Sequence, residues 1–216
     1  MQQNHQQEWI GIPLLVHRRC LDPMFSVANE IAYENKMINA RIASSTNELQ
    51  LPPNTWFDVT GIATDKQYVP EQGNYLLQLF IWFYNHDKGL PRLFIITPFE
   101  QVRKHLKNLI QNQDNWISKV DPQITVPTSR DMQQWLHKHI GTVHTFQSKE
   151  NEKVIFVLGA DKEQKGAIRW ASSKPNLLNV ALTRATDRIY IIGAWDLWAN
   201  KPYFSQISTV LERKHG

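Results

Sequence analysis

The residue types that bind anions stand out first. Arg18 and Arg19 are adjacent, and Arg184 ends the segment Asn179-Val180-Ala181-Leu182-Thr183. A guanidinium is planar, permanently charged and bidentate, which matches phosphate oxygens. Thr142, His144 and Thr145 crowd one short segment, Gln147 and Glu150 follow, and Thr97-Pro98 close an apolar run. Hydroxyls and backbone N–H groups at such places commonly hold phosphates and sugars without reading a base sequence. Several groups that a self-sufficient phosphate-transfer enzyme needs are missing from this pattern. No G-x-x-x-x-G-K-[ST] segment occurs in the chain, so the usual backbone cradle for phosphates is not encoded in it. No apolar run ends in paired acids suited to magnesium, and no nucleophile–base pair or metal-ligand set converges. His137 and His139 are two residues apart and do not share a helix face, so a metal site there is not expected.

Composition sets the frame. The chain has 216 residues, 42% hydrophobic and 20% charged, enough apolar material for one sizeable core. Cys20 is the single cysteine, which excludes a disulfide framework and a cysteine zinc cluster and points to a reducing, cytoplasmic home. The formal net charge is +4, compatible with a phosphate-rich partner. The basic residues are scattered, with small clusters at His17-Arg18-Arg19 and at Arg103-Lys104-His105 with Lys107. No run approaches the ~18 apolar residues a membrane span needs, so no membrane partner is expected. The start, Met1 to Gln7, is rich in glutamine and reads as a solvated tail. The folded domain is therefore placed at 9–216, behind a tail over 1–8.

The elements that must position these residues follow from periodicity. Met24, Val27, Ala28 and Ile31 recur at helical spacing behind Pro23, predicting a helix to about Tyr33. The stretch 36–70 is irregular and is read as an insertion, with a short strand from Trp56 to Val59. Pro70 to Asn85 reads as a helix apolar almost all round, and so as buried, Trp82 included. Leu93 to Ile96 predicts a strand, followed by an amphipathic helix carrying Phe99, Val102, Leu106, Leu109 and Ile110 on one face. Further strands are expected at Ile124–Val126, Ile140–Phe146, Val154–Leu158 and Ile189–Ile192, and helices at Leu177–Ala185 and about Tyr203–Arg213. Of the eight tryptophans, Trp82, Trp170 and Trp195 are expected in the core, and none is assigned to base stacking. Fully apolar strands alternating with amphipathic helices predict an α/β fold with a mainly parallel sheet covered on both faces. Ligands of such sheets bind beyond the carboxyl ends of the strands. That is where Arg18-Arg19, Thr97-Pro98, the segment after Ile140 and the segment before Ile189 are expected.

Two segments carry a family resemblance. Gly141 to Glu150 (GTVHTFQSKE), followed by the apolar Val154–Leu158, resembles motif V of superfamily-1 helicases of the nonsense-mediated-decay group and their bacterial AAA-domain relatives. Asn179 to Ala185 (NVALTRA), followed by Asp187-Arg188, resembles motif VI of the same group. Val16 to Tyr33 looks like the segment that opens the second motor domain. Ile95 to Phe99 with Gln101 looks like motif IV.

The resemblance implies a RecA-like three-layer domain, of P-loop-NTPase type but without its own P-loop. It pairs with an N-terminal RecA-like domain of the same polypeptide. ATP and magnesium would sit in the cleft between the two, held by the full-length enzyme and not by this domain alone, and single-stranded DNA or RNA would cross both. Arg184 takes the position of the arginine finger, a group worth roughly 10³ to 10⁵ in rate where it stabilises charge on a transferring phosphoryl group. Arg19 takes a second phosphate contact, with Arg18 one register step away. Glu150 takes the ribose-binding position, with Gln147 beside it. Thr97, Pro98, Thr142, His144 and Thr145 would face nucleic acid. The family's usual Gln-Gly-Arg-Glu or Gln-Gly-Lys-Glu appears here as Gln147-Ser148-Lys149-Glu150, and a serine matters there if the backbone needs positive φ. A rival of another class is a stand-alone interaction domain that keeps the packing pattern without the ATP chemistry.

Overall fold

Apolar strands in a parallel sheet need cover on both faces, and the fold is arranged around that need. The computed structural model describes residues 15–41 and 51–216. The apolar run Gly11–Val16 and the tail over 1–8 lie wholly or mostly outside them. Strands β1 (Val16–His17) and β2 (Ile38–Asn39) form a small parallel pair of their own. The main sheet holds β3 (Thr55–Asp58), β4 (Leu93–Thr97), β5 (Ile140–Thr142), β6 (Asn151–Val157), β7 (Ala185–Gly193) and β8 (Glu212–His215). Its order is β5-β4-β6-β7-β3-β8, and every pairing in it is parallel. Val154, Ile155 and Phe156 of β6 and Ile189, Ile191 and Ile192 of β7 are fully buried.

Helices α1 (Met24–Tyr33), α2 (Pro70–Asp87), α3 (Glu100–Gln111), α4 (Ser129–His139), α5 (Lys165–Ala171), α6 (Asn176–Arg184), α7 (Trp195–Trp198) and α8 (Phe204–Ser208) supply the cover. Right-handed crossovers put α2, α3 and α4 on one face, because the chain moves from β3 through β4 to β5 in one direction. It then reverses toward β6, β7 and β8, which places α5 to α8 on the other face, where α1 packs against α6 and α8. Proline opens α2, where its missing N–H costs nothing. The Thr128 hydroxyl caps α4 by accepting from the Asp131 N–H at 3.2 Å. Among the described residues no helix is long and apolar enough to cross a membrane.

Several expectations need correction. Ile124–Val126 is not a strand. Ile124 is buried inside a turn that its N–H closes on the Asp121 carbonyl, and the Thr125 carbonyl accepts from the Tyr84 hydroxyl instead of from a neighbouring strand. The strand read over Ile140–Phe146 stops at Thr142 and becomes a 3₁₀ turn over Val143–Phe146. Gly141 permits this, since a Cβ there would stand 2.6 Å from the Thr145 Cβ. The last helix is shorter than Tyr203–Arg213: it ends at Ser208, and Glu212–His215 adds an edge strand beside β3. Within 36–70, whose residues 42–50 lie outside the described residues, β2 pairs with β1 and β3 joins the main sheet beside β7. Helix α2 is not buried all round, because Trp82 is 41% exposed, and Trp170 is 54% exposed. Periodicity does not predict α4, which has few apolar positions, or α5, which is only 7 residues long.

One ion pair lies inside this packing. Lys153 of β6 is 3% exposed, spans the Phe83 ring at 5.2 Å and donates to the Asp87 carboxylate at 2.8 and 3.1 Å. Burial works against the Asp87 charge, yet hydrogen bonds from Lys153 and His86 and the Lys153 charge outweigh it. Its carboxyl therefore titrates below the usual range. A depressed folded-state pKa contributes stability that is present above the ordinary carboxylate pKa and is lost as pH falls through the folded value. Asp87→Asn, which strands the Lys153 ammonium, is expected to cost about 3 kcal/mol in urea unfolding at neutral pH. The gap to the wild type should narrow as the wild-type carboxylate is protonated.

Candidate functional site

The site residues divide between the two ends of the sheet. Thr97 and Thr142 pair in register at the carboxyl ends of β4 and β5. Glu150 immediately precedes β6 and Arg184 immediately precedes β7, so both lie at the amino ends. That corrects the expectation that all the clusters share the carboxyl ends: the rule for open α/β sheets holds for one group only.

At the amino end, a cavity of about 430 Å³ is lined by Arg18, Arg19, Tyr33, Glu150, Thr183 and Arg184 among others. The Arg19 Nε lies 2.9 Å from a Glu150 carboxylate oxygen, with the two side chains 36% and 56% exposed. Such a half-solvated pair is worth little in stability, but it aims both groups at one space. Arg18 lines the same cavity, whereas Gln147 is exposed and outside its lining. Arg184 is 7% exposed. Its Nη1 donates to the carbonyls of Phe146 at 3.1 Å and Lys149 at 3.0 Å, and its Nη2 to the Thr183 hydroxyl at 3.1 Å. A guanidinium carries five N–H groups. The buried Nε of Arg184 has no partner among the described residues, and one Nη2 hydrogen is likewise unspent. Burial, and then the neighbouring Arg19 charge, pull the Arg184 pKa below its ordinary value, while Glu150 opposes the shift.

The turn that carries Arg18 and Arg19 is anchored from three sides. His17 Nε2 accepts the Cys20 N–H at 3.0 Å and lies 2.9 Å from the Cys20 thiol. Burial pushes that thiol up to about 12 and, with Arg19 and Arg41, lowers His17, so a protonated thiol faces a neutral ring. The Leu21 N–H donates to the Thr186 carbonyl at 3.0 Å, tying the turn to β7. Arg41 donates to the Arg19 carbonyl and, at 2.7 Å, to the Asp187 carboxylate. Sequence reasoning missed Arg41, which lies in a stretch without periodicity and gives no local signal.

Ser148, the departure from the family's glycine, has φ of +63°. The backbone there does adopt the left-handed region that glycine enters freely and other residues enter at a cost. At the carboxyl end, Thr142 is half-buried with its hydroxyl 3.5 Å from that of Thr145, and Thr145 and His144 are exposed. Thr97 and Pro98 are buried, and the Thr97 hydroxyl accepts the Phe99 N–H at 3.4 Å. Among the described residues no group of three or more His, Cys, Asp or Glu side chains is placed to hold a metal ion.

Six parallel strands between two helical layers, with arginines set before β7 and after β1, define a RecA-like α/β domain. The sequence matches an AAA domain family over residues 1–196. The chain belongs to that family and represents the C-terminal region of superfamily-1 helicases. No curated protein matches it. Among solved structures it is similar to the C-terminal domain of a possible DNA helicase from Lactobacillus plantarum WCFS1. The identity is 10% and the TM-score 0.49, over 91% of this chain and 98% of that one.

Replacing the left-handed serine tests the local backbone. Ser148→Gly should raise stability by up to about 1 kcal/mol, the relief of strain being partly offset by the greater freedom of glycine when unfolded. Ser148→Val should lower it, and chemical denaturation measures both.

Proposed function

We propose that this domain supplies half of a nucleotide site in an ATP-dependent helicase or translocase. The other half, with the phosphate-binding loop and the magnesium-binding acids, would come from an N-terminal RecA-like domain of the same polypeptide. The observation that carries the reading is the cavity at the amino ends of β6 and β7, where Arg19, Arg184 and Glu150 converge. Two guanidinium groups fit the oxygens of a polyphosphate, and an exposed carboxylate fits a ribose hydroxyl pair. The Nε of Arg184 is buried and unpartnered among the described residues, donor capacity that a phosphate would take up once the side chain turns toward the cavity. In this role Arg184 stabilises charge developing on the transferring phosphoryl group, Arg19 holds the phosphates, with Arg18 beside it, and Glu150 holds the ribose.

At the opposite end of the sheet, Thr142, His144 and Thr145 would meet the backbone of single-stranded DNA or RNA. The buried Thr97 and Pro98 would shape that surface from beneath. Contacts of this kind are independent of base sequence and sensitive to salt. Magnesium, held by the partner domain, would neutralise charge on the phosphates.

In the intact protein, Arg184→Ala should lower ATP turnover by about 10³-fold or more, with nucleotide affinity changed only a few-fold. Steady-state hydrolysis and nucleotide titration read the two separately, and thermal unfolding checks the loop that Arg184 braces. Near-normal hydrolysis in a folded variant would refute the assignment.

A further inference from the structure

Trp170 and the cleft beside it have no part in the contacts described so far. A tryptophan on a short helix over a parallel sheet is expected inside, yet Trp170 is 54% exposed. Its ring lies 5.9 Å from that of Phe99, tilted by 38°. Phe99 is buried directly after Thr97-Pro98, at the carboxyl end of β4. Phe99 thus supports one side of the indole and leaves much of the rest to solvent.

Lys165 and Arg169 of α5, and Ser172 at its C-terminal cap, recur at helical spacing. With Lys162 and Lys201 they line a cleft of about 430 Å³ between α5 and α7. Asp196 is the one acid in its lining, and it reaches toward Arg213 at 3.9 Å. Lys162, Lys165, Arg169 and Lys201 have no ion-pair partner among the described residues. Nearby Asp161 is spent within the fold, its carboxylate accepting the Ala63 and Glu163 N–H groups at 2.8 Å each. Exposed Glu163 stands close in sequence but outside the lining.

We propose that Trp170 and this cationic cleft extend the nucleic-acid path, with Trp170 stacking on a base and Lys162, Lys165, Arg169 and Lys201 holding phosphates. The proposal rests on the reading that the carboxyl end of the sheet faces nucleic acid. Three observations converge on a single strand. The features follow one another along one edge of a parallel sheet: the Thr142–Thr145 hydroxyls at β5, Trp170 over the end of β4, and the cleft beyond β6 and β7. Neighbouring strands are about 4.8 Å apart, so β5 to β7 spans about 14 Å. An exposed aromatic beside unpaired cations is the combination that binds single strands without sequence preference, whereas a duplex hides its base faces. The cleft lining carries four cations, Lys162, Lys165, Arg169 and Lys201, against the one acid Asp196, which favours a polyanionic chain over a protein partner.

The test measures affinity for a labelled short oligothymidylate and for polyphosphate, which has the charges without bases, at two salt concentrations. Trp170→Ala should weaken the oligonucleotide about tenfold and leave polyphosphate unchanged, with Trp170→Phe recovering most of the loss. Lys165→Glu with Arg169→Glu should weaken both ligands and flatten the logarithmic salt slope by about 1.4. Because both sites are exposed, unchanged thermal unfolding shows that the variants are folded.

Unchanged oligonucleotide affinity in Trp170→Ala would overturn the proposal. So would an equal loss of both ligands, or loss only of association with the partner motor domain. Thr145→Val with Thr142→Val separates the two readings. If that pair weakens binding and Trp170→Ala does not, the domain reading stands and the extension fails. If only Trp170→Ala weakens binding, the extension stands and the strand-end contacts fail.

Discussion

A buried guanidinium holds the amino end of this sheet together. Arg184 sits between α6 and β7, and its Nη1 takes the carbonyls of Phe146 and Lys149 from the approach to β6. A buried charge is costly unless hydrogen bonds replace its water. Here the replacement comes from backbone carbonyls in a turn that no strand satisfies. The cost of leaving either side unmet ties the two segments to one geometry. Glu150 follows directly from that turn, so its direction depends on the same contacts, and its pairing with Arg19 brings in the β1 turn. Leu21 and Arg41 complete the frame by fastening that turn to Thr186 and Asp187.

The same segment also connects the two ends of the sheet. Thr142 stands beside Thr97 at the carboxyl end of β5, and by Glu150 the chain has returned to the amino end of β6. The 3₁₀ turn over Val143–Phe146 and the left-handed Ser148 make that return possible within a few residues. Residues of opposite ends are therefore joined by a short, braced stretch of chain, anchored by buried Val143 and Phe146. Phe146 packs its ring 4.4 Å from Phe94 of β4, while its carbonyl accepts from Arg184.

Much of this was legible in the sequence, for physical reasons. Runs buried on both faces must be apolar, so β4 and the second halves of β6 and β7 announce themselves. The glycine expected before Lys149 encodes a backbone requirement, and Ser148 meets that requirement with φ of +63°. What stayed hidden depends on contacts between distant residues. Arg41 reaches Asp187 across 146 positions, and nothing local marks it. Ile140–Phe146 has strand-forming residues, yet Thr145 folds back over Gly141, which only the absent side chain allows. The outward Trp82 and Trp170 defeat the rule that large apolar residues lie inside, because exposure is decided by which helix face meets the sheet. Edge strand β8 has the composition Glu-Arg-Lys-His, and it forms because the β3 edge offers unpaired backbone groups, with Arg213 donating to Asp58.

Arg184 braces the 146–149 turn and at the same time lines the cavity it shares with Arg19 and Glu150. Amide hydrogen exchange across residues 143–157, in wild type and in Arg184→Ala, tests the brace most directly. The Lys149 N–H, bonded to the Phe146 carbonyl at 3.1 Å, should lose protection by at least tenfold in the variant, while Val154 to Phe156 in β6 stay protected. Equal protection at Lys149 in both proteins would contradict the account.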